Sequence, residues 1–275
     1  MRRFARRLLF ACCLLPLLTA QAGSLTLRGE LSQGSLLRGQ VPAGSQVLLD
    51  GESLRLSEDG HFVFGLGRDH GPEAVLELRY PNGERERRVL AVAPRAYQIQ
   101  RIDGLPPRKV TPKESDLRRI RADGALVREA RQRDDARTDF TAQFVWPAPG
   151  RISGVYGSQR ILNGEPRRPH YGIDIAAPTG TPVVAPAAGI VTVAHPDMFF
   201  SGGTLLIDHG HGVSSAFLHL DKLHVAVGQR VEQGERIADV GATGRVTGPH
   251  LDWRINWFDR RLDPRLLVEG EPPAL

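Results

Sequence analysis

Short runs of alternating apolar and polar residues occupy most of the chain, and turns rich in glycine and proline separate them. Alternation with a period of two predicts half-buried β-strands, because successive side chains of a strand point to opposite faces. Few stretches show the longer period of an amphipathic helix. The sequence therefore predicts a mainly β protein.

The first series of such runs extends from about residue 24 to residue 93 and includes SLTLRGEL, HFVFGL and AVLELRY. Three dipeptides suited to tight hairpin turns separate these runs, because Gly and Asn tolerate positive φ: Asp50-Gly51, Asp59-Gly60 and Asn82-Gly83. Strands at this spacing predict a small β-sandwich-like domain over residues 23–95. Its two histidines, His61 and His70, are isolated, so we expect a spacer or interaction module.

A segment rich in both charge signs follows, and residues 96–139 are predicted to be a linker that contains one charged helix. Thr111 can cap this helix, Pro112 suits its first position, and Glu114 can complete a capping box. The apolar stripe beyond this start is thin, and Gly124 interrupts it. The thin stripe favours an exposed connecting helix, and the alternative is a cover that regulates access to a neighbouring groove.

The pattern changes at Phe140, where short β-type runs and Gly/Pro turns begin to alternate closely. We predict that residues 140–275 form a compact, mostly antiparallel sheet of many short strands. Seven of the nine histidines lie between positions 170 and 250, so candidate chemistry is concentrated in this domain.

The chain begins with a targeting pattern: MRRFARR is basic, LLFACCLLPLLTA is a short apolar run, and AQA precedes Gly23. The apolar run is too short for a helix that spans a bilayer. Residues 1–22 are therefore predicted to be a signal peptide cleaved after Ala22, which implies a periplasmic or secreted protein. The alternatives are an uncleaved anchor and, with less support from so short an apolar run, a lipoprotein attached at Cys12.

Removal of this signal changes the composition of the mature chain. Both cysteines leave with it, so no disulfide remains and stability depends on core packing. The signal contains four arginines and no acidic residue, so the net charge falls from +5 to +1. The basic balance of the full chain thus gives no argument for nucleic acid, and we expect no nucleic-acid partner.

Three histidine motifs carry candidate chemistry. HYGID places His170 four residues before Asp174, AFLHL contains His219, and PHLDW contains His250 and Asp252 on one face of a predicted strand. A catalytic zinc ion takes nitrogen and oxygen ligands and keeps one position open. His170, Asp174 and Asp252 could supply three ligands. His219 and His250 would then remain as bases beside the metal.

The segments RPHYGIDIAAPTGTPVVAPAAGIVTVA, GGTLLIDHGHGVSSAFLHL and VAVGQRVEQGERIADVGATGRVTGPHLDW together resemble the lysostaphin-like metallopeptidases, the LytM-domain family. The resemblance extends from about Trp146 to Trp257, with several motifs in the expected order. It implies a zinc metalloendopeptidase that cuts the cross-linking peptides of bacterial peptidoglycan. It also implies a β-sheet with a groove lined by loops.

The resemblance implies a role for each candidate residue. The HxxxD metal pair falls on His170 and Asp174, the YxHL histidine falls on His219, and the first, catalytic histidine of HxH falls on His250. Asp252 stands where the third metal ligand is a histidine. Aspartate is an acceptable zinc ligand. Two carboxylates would nevertheless neutralise a divalent ion, weaken it as a Lewis acid and favour ions such as Mn²⁺ slightly.

Two functions follow from the resemblance. The first is a periplasmic or secreted endopeptidase that acts on peptidoglycan, with His250 as general base and His219 either orienting water or stabilising the oxyanion. The cut bond would be a D-alanyl-to-diaminopimelate cross-link or a glycine bridge. The second is a catalytically impaired LytM-like protein, with Asp252 marking a failing metal site. It would bind and activate another cell-wall hydrolase, such as an amidase, or meet a regulatory partner through its N-terminal domain.

Overall fold

The computed structural model describes residues 24–102, 114–162 and 164–275. The predicted signal peptide and the predicted helix cap at Thr111 and Pro112 lie outside the described residues. Within them the protein is mainly β, with antiparallel sheets and a single α-helix, as predicted. No helix in this part of the chain is both long enough and apolar enough to cross a membrane.

Eight strands precede the helix in the described residues: β1 (Thr26–Arg28), β2 (Leu36–Gln40), β3 (Gln46–Leu49), β4 (Glu52–Ser53), β5 (His61–Gly65), β6 (Glu73–Arg79), β7 (Arg85–Ala91) and β8 (Ile99–Ile102). The first seven form one sheet of order β1-β2-β5 and a second of order β4-β3-β6-β7, both antiparallel. Asp50 and Gly51 both have positive φ between β3 and β4, as a two-residue hairpin turn requires.

The single α-helix, α1 (Glu114–Arg131), is followed by a 3₁₀ turn (Asp139–Thr141) and by the remaining strands: β9 (Arg151–Gly154), β10 (Gln159–Leu162), β11 (Glu165–Pro166), β12 (Ile173–Ala176), β13 (Pro182–Val184), β14 (Gly189–Met198), β15 (Gly202–Asp208), β16 (Val213–Leu223), β17 (Arg230–Val231), β18 (Arg236–Val240), β19 (His250–Trp257) and β20 (Arg260–Leu262). A second 3₁₀ turn (Pro264–Leu267) follows β20. Ten of these strands form one sheet with the central order β17-β14-β15-β16-β19-β12-β9, and β10 pairs with β11 and with β8.

The ten-stranded sheet has two different faces. One face packs into the main hydrophobic core through side chains such as Trp253 and Phe217. The opposite face carries Asp174 of β12, Asp252 of β19 and Leu218 of β16. These three residues occupy neighbouring paired positions on adjacent strands, so their side chains share one side of the sheet. We call this side, defined by Asp174, Asp252 and Leu218, the site face.

Helix α1 packs on the site face. Ala130 is buried in a small apolar cluster with Leu206, Ala216 and Leu218, and Val127 packs against the same cluster. Gly124 lies within the helix and does not interrupt it. The helix is therefore more than an exposed connection, because it covers part of the face on which the predicted site residues lie.

Two polar contacts fix the other end of the helix to the edge of this face. The guanidinium of Arg119 lies 2.8 Å from the carboxylate of Asp197. The backbone N–H of Phe199, just beyond β14, donates to the Asp123 carboxylate at 2.8 Å. These contacts hold α1 along β14.

Strand β5 of the N-terminal part packs against β19 and β20. An added Cβ at Gly65 of β5 would lie 2.9 Å from the side chain of Leu262 and 3.3 Å from that of Trp257. Arg260 donates to the Gly65 carbonyl at 3.1 Å. One continuous hydrophobic core extends from the N-terminal strands into the ten-stranded sheet.

Candidate metal and catalytic site

Three of the predicted site residues lie together on the site face. One potential ligand atom from each of His170, Asp174 and Asp252 lies within 4.8 Å of the others. Asp174 and Asp252 are directly paired across β12 and β19, and His170 precedes β12 in the chain. Nε2 of His170 lies 3.3 Å from Oδ1 of Asp174. The sheet register thus brings together residues that are about eighty positions apart in sequence.

Two glycines provide the space for these side chains. A Cβ added at Gly154 of β9 would collide with the side chain of Asp174. A Cβ added at Gly172 would lie 2.6 Å from the carbonyl oxygen of Trp253 and 2.7 Å from Cγ of Arg254. Glycine at both positions therefore permits the close approach on which the cluster depends.

The cluster suits a divalent zinc ion. One imidazole nitrogen and two carboxylates are ligand types that zinc accepts. Nε2 of His170 is buried and has no hydrogen-bond partner, as a nitrogen available to a cation would. Burial alone would lower the pKa of His170, but the neighbouring Asp174 and Asp252 raise it overall. The same negative potential favours a bound cation.

Arg254, which was not among the predicted site residues, holds Asp252 through a forked ion pair. Nε of Arg254 donates to Oδ1 at 2.9 Å and to Oδ2 at 3.1 Å, and a terminal nitrogen donates to Oδ2 at 2.5 Å. Burial raises the pKa of Asp252, but the guanidinium outweighs it and holds that pKa below its ordinary value. Asp252 is therefore an ionised carboxylate. Strand alternation could have revealed Arg254, because residues 252 and 254 share one face.

His250, the first residue of β19, has a defined hydrogen-bonding pattern. Its Nδ1 lies 2.9 Å from the carbonyl oxygen of Gly248, and a carbonyl only accepts, so Nδ1 donates. Nε2 of the neutral ring is then left with a lone pair. This Nε2 lies 3.8 Å from Oδ1 of Asp174, so the free nitrogen is at the edge of the cluster.

A β-bulge directs His219 into the site. The pairing of β15 with β16 shifts between Gly203↔Leu220 and Leu205↔Phe217, which leaves one extra residue on β16. His219 lies in this bulge with φ +67°, in the left-handed region that a non-glycine residue rarely adopts. The simple alternation of β16 is broken at this residue.

The bulge places the His219 ring beside His250. The two ring centres lie 4.9 Å apart, and Nδ1 of His219 donates to the Thr243 carbonyl at 2.9 Å. Burial lowers the pKa of His219, so its ring is neutral near pH 7 and its Nε2 is an acceptor. All five predicted site residues therefore converge at one place.

One histidine and two carboxylates beside two further histidines form the kind of side-chain set that metal-dependent hydrolases use. Residues 168–264 match Peptidase family M23. A crystal structure from Pseudomonas aeruginosa, described as peptidase M23, is 30% identical and superposes with a TM-score of 0.66 over 87% of this chain and 95% of that chain. The chain belongs to peptidase family M23, which confirms the resemblance seen in the sequence.

Curated relatives match a smaller part of the chain. The peptidoglycan DD-endopeptidase ShyA of Vibrio cholerae is 41% identical over 108 residues, which cover 38% of this chain and 24% of the relative. The cell division protein DipM of Caulobacter vibrioides is 33% identical over 168 residues, which cover 60% of this chain and 25% of the relative. The match thus covers about a quarter of the length of these relatives.

Proposed function

We propose that the protein is a zinc endopeptidase, periplasmic or secreted, that hydrolyses the peptide cross-links of peptidoglycan. The observation that carries the proposal is the convergence of His170, Asp174, Asp252, His219 and His250 on the site face. The name of the relative ShyA, a peptidoglycan DD-endopeptidase, supports the substrate class.

His170, Asp174 and Asp252 would hold the zinc ion, with the donor atoms described above. Zinc bound there would act as a Lewis acid toward the carbonyl of the scissile peptide bond. The two glycines that make room for the carboxylates, Gly154 and Gly172, support this arrangement sterically.

His250 would serve as the general base. Its Nδ1 donates to the Gly248 carbonyl, so Nε2 can take a proton from the attacking water and later deliver it to the departing amine. His219 would orient the water. Its Nε2 is an acceptor in the neutral ring, so it can accept a hydrogen bond from water but has no proton to donate to an oxyanion. The geometry therefore favours the first of the two roles expected for His219.

The cross-link proposed as substrate is the D-alanyl-to-diaminopimelate bond, because a DD-endopeptidase is named among the relatives. The muropeptides released from purified murein test this assignment by mass spectrometry. We expect monomers that end in D-alanine to accumulate at the expense of cross-linked dimers. Release of glycine-containing bridge fragments instead would point to the other bond.

A second candidate function is favoured by one observation, the ion pair between Arg254 and Asp252, which satisfies this carboxylate without a metal. In that case the chain would be an impaired peptidase that binds and activates a cell-wall amidase, with its N-terminal sheets as a contact surface. Metal analysis separates the two candidates. A zinc-free protein that stimulates an amidase and cuts nothing itself would support the second.

The test of the main proposal is hydrolysis of purified cross-linked murein by the exported protein with and without added zinc. We expect zinc-dependent release of muropeptides, and its loss in His170→Ala and His250→Ala. His224→Ala is the matched control, because that histidine lies outside the site and pairs with Asp239. Unchanged activity in both site variants would rule the mechanism out.

The proposed export is tested on the same material. Mass spectrometry of the protein recovered from the periplasm or the medium should show an N-terminus at Gly23. A chain that retains the first 22 residues would contradict cleavage after Ala22.

A further inference from the structure

We infer that Asp252 and Arg254 act as one unit, in which Arg254 is a positioning residue for the zinc ligand Asp252 and offsets its charge. The inference rests on the proposed zinc site. It concerns a residue that belongs to neither the metal cluster nor the histidine pair.

The first step in the argument is the geometry of the ion pair. Two nitrogens of Arg254 approach both oxygens of Asp252, so the plane of the carboxylate is fixed by a fork rather than by a single contact. The Asp252 side chain is 4% exposed, so it has little freedom to turn toward solvent. Arg254 therefore decides which way this carboxylate points.

The second step is that the fork leaves room for a cation. An ionised carboxylate has about four lone-pair positions, and Arg254 makes three contacts to it. One oxygen of this carboxylate also lies within 4.8 Å of a potential ligand atom of His170 and of one of Asp174. Asp252 can thus bind Arg254 and a metal ion at the same time.

The third step concerns charge. The sequence predicted a nearly neutral site, because Asp174 and Asp252 together cancel a divalent ion. The structure adds a guanidinium in direct contact with one of these carboxylates, which returns one positive charge to the site. The unit of Asp252 and Arg254 is therefore a ligand of zero net charge, as a neutral imidazole would be. The expectation of a weaker Lewis acid counted only the ligands and does not hold once Arg254 is included.

The experiment measures zinc affinity by competition with a fluorescent chelator, using zinc alone as the probe. Asp252→His installs a good zinc ligand but leaves the charge of Arg254 unopposed beside the ion. We expect its affinity to fall at least tenfold below that of the natural protein. The double variant Asp252→His with Arg254→Met removes that charge and should recover to within threefold.

Arg254→Lys separates position from charge. Lysine keeps the positive charge but lacks the fork, so we expect zinc affinity to fall severalfold while the melting temperature of the zinc-free protein changes little. The melting temperature in chelator is measured for every variant, so that a folding defect is recognised.

Two results would overturn the inference: tighter zinc binding by Asp252→His alone, or no recovery in the double variant. His170→Ala distinguishes this failure from a failure of the proposed function. If His170→Ala binds zinc as tightly as the natural protein, the site itself is wrong. If His170→Ala loses zinc but Asp252→His gains affinity, only the role of Arg254 is wrong.

Discussion

The imidazole rings of His219 and His250 lie 4.9 Å apart, and each ring donates its Nδ1 proton to a backbone carbonyl. The two Nε2 atoms are therefore the positions at which these rings can accept a proton or a hydrogen bond. Neither ring belongs to the three-residue metal cluster. The chemistry proposed for this pair can thus be separated experimentally from metal binding.

We expect His250→Ala to lower the rate of murein hydrolysis by about 10²–10⁴, the range for loss of a general base. Zinc content should stay at the level of the natural protein. His219→Ala should have a smaller effect. The double variant should be no slower than His250→Ala, because both rings act on the same water. The measurements are initial rates and metal analysis, and parallel loss of zinc and activity in His250→Ala would contradict the separation.

Thr243→Val should impair the placement of His219. The Thr243 hydroxyl donates to the Leu220 carbonyl at 2.8 Å and accepts from the Gly203 amide at 2.9 Å, across the bulge that contains His219. Loss of these bonds should lower the free energy of unfolding by about 1–3 kcal/mol. Because His219 would be misplaced, the substitution should also lower kcat more than it raises KM, and the zinc content should stay unchanged.

The matched control for Thr243 is Thr181→Val, which also removes a hydroxyl bound to a carbonyl, that of Pro178, but in an exposed turn. Urea denaturation and steady-state kinetics compare the two variants. Equal kcat values in the two valine variants would show that Thr243 does not position His219.

Gly154→Ala should weaken zinc binding, because the added methyl group would occupy the place of the Asp174 side chain. We expect at least a tenfold loss of affinity, and a loss of stability of about 1–3 kcal/mol from overpacking. Gly248→Ala is the control, since a methyl group there would meet no atom within 4 Å. Zinc titration of both variants checks the prediction, and equal affinities would count against Asp174 as a ligand.

His209 should make the protein sensitive to acid. It is fully buried on the core face, bonded to the Ala188 carbonyl and the Ser215 hydroxyl. Burial lowers its pKa from 6.5 to about 4. Between pH 4 and pH 6.5, the His209 ring therefore binds a proton in the unfolded chain but not in the native protein. The free energy of unfolding should therefore fall as pH decreases from 6.5 to 4, by up to about 3 kcal/mol.

His209→Gln tests this sign, because glutamine can still donate and accept but does not titrate. Its free energy of unfolding is measured in urea from pH 4 to pH 7. The slope of this free energy against pH should be smaller than in the natural protein, by an amount that corresponds to nearly one proton bound on unfolding. His70→Gln, at a half-buried position far from the core of the large sheet, should leave the slope unchanged. An identical slope in all three proteins would refute the assignment.

Alternation and turn chemistry were sufficient for the fold class. The period of two along the chain predicted antiparallel sheets, and Asp50-Gly51 predicted a hairpin turn that the backbone adopts. The motifs HYGID and HLD predicted which residues would meet, because a strand fixes the face that His250 and Asp252 share.

Other features depend on contacts that no local pattern contains. The bulge at His219 arises from the register of β16 with β15, and its position cannot be obtained from β16 alone. The docking of α1 depends on an apolar patch formed by three different strands, so the thin stripe of the helix gave an incomplete picture. The strand pattern could have placed Arg254 on the same face as Asp252. Its effect on the pKa and orientation of Asp252 could be recognised only from the distances between their atoms.

The shared core between the N-terminal sheets and β19–β20 has a practical consequence for anyone who wishes to shorten the protein. A fragment that begins at residue 140 would leave Leu262 and Trp257 without the strand that covers them. It would also remove Arg95, which pairs with Asp263, and so leave this 3% exposed carboxylate without its ion-pair partner. Newly exposed apolar surface of this kind promotes self-association. A minimal version should therefore keep the N-terminal strands or carry polar residues in place of the uncovered Leu262 and Trp257.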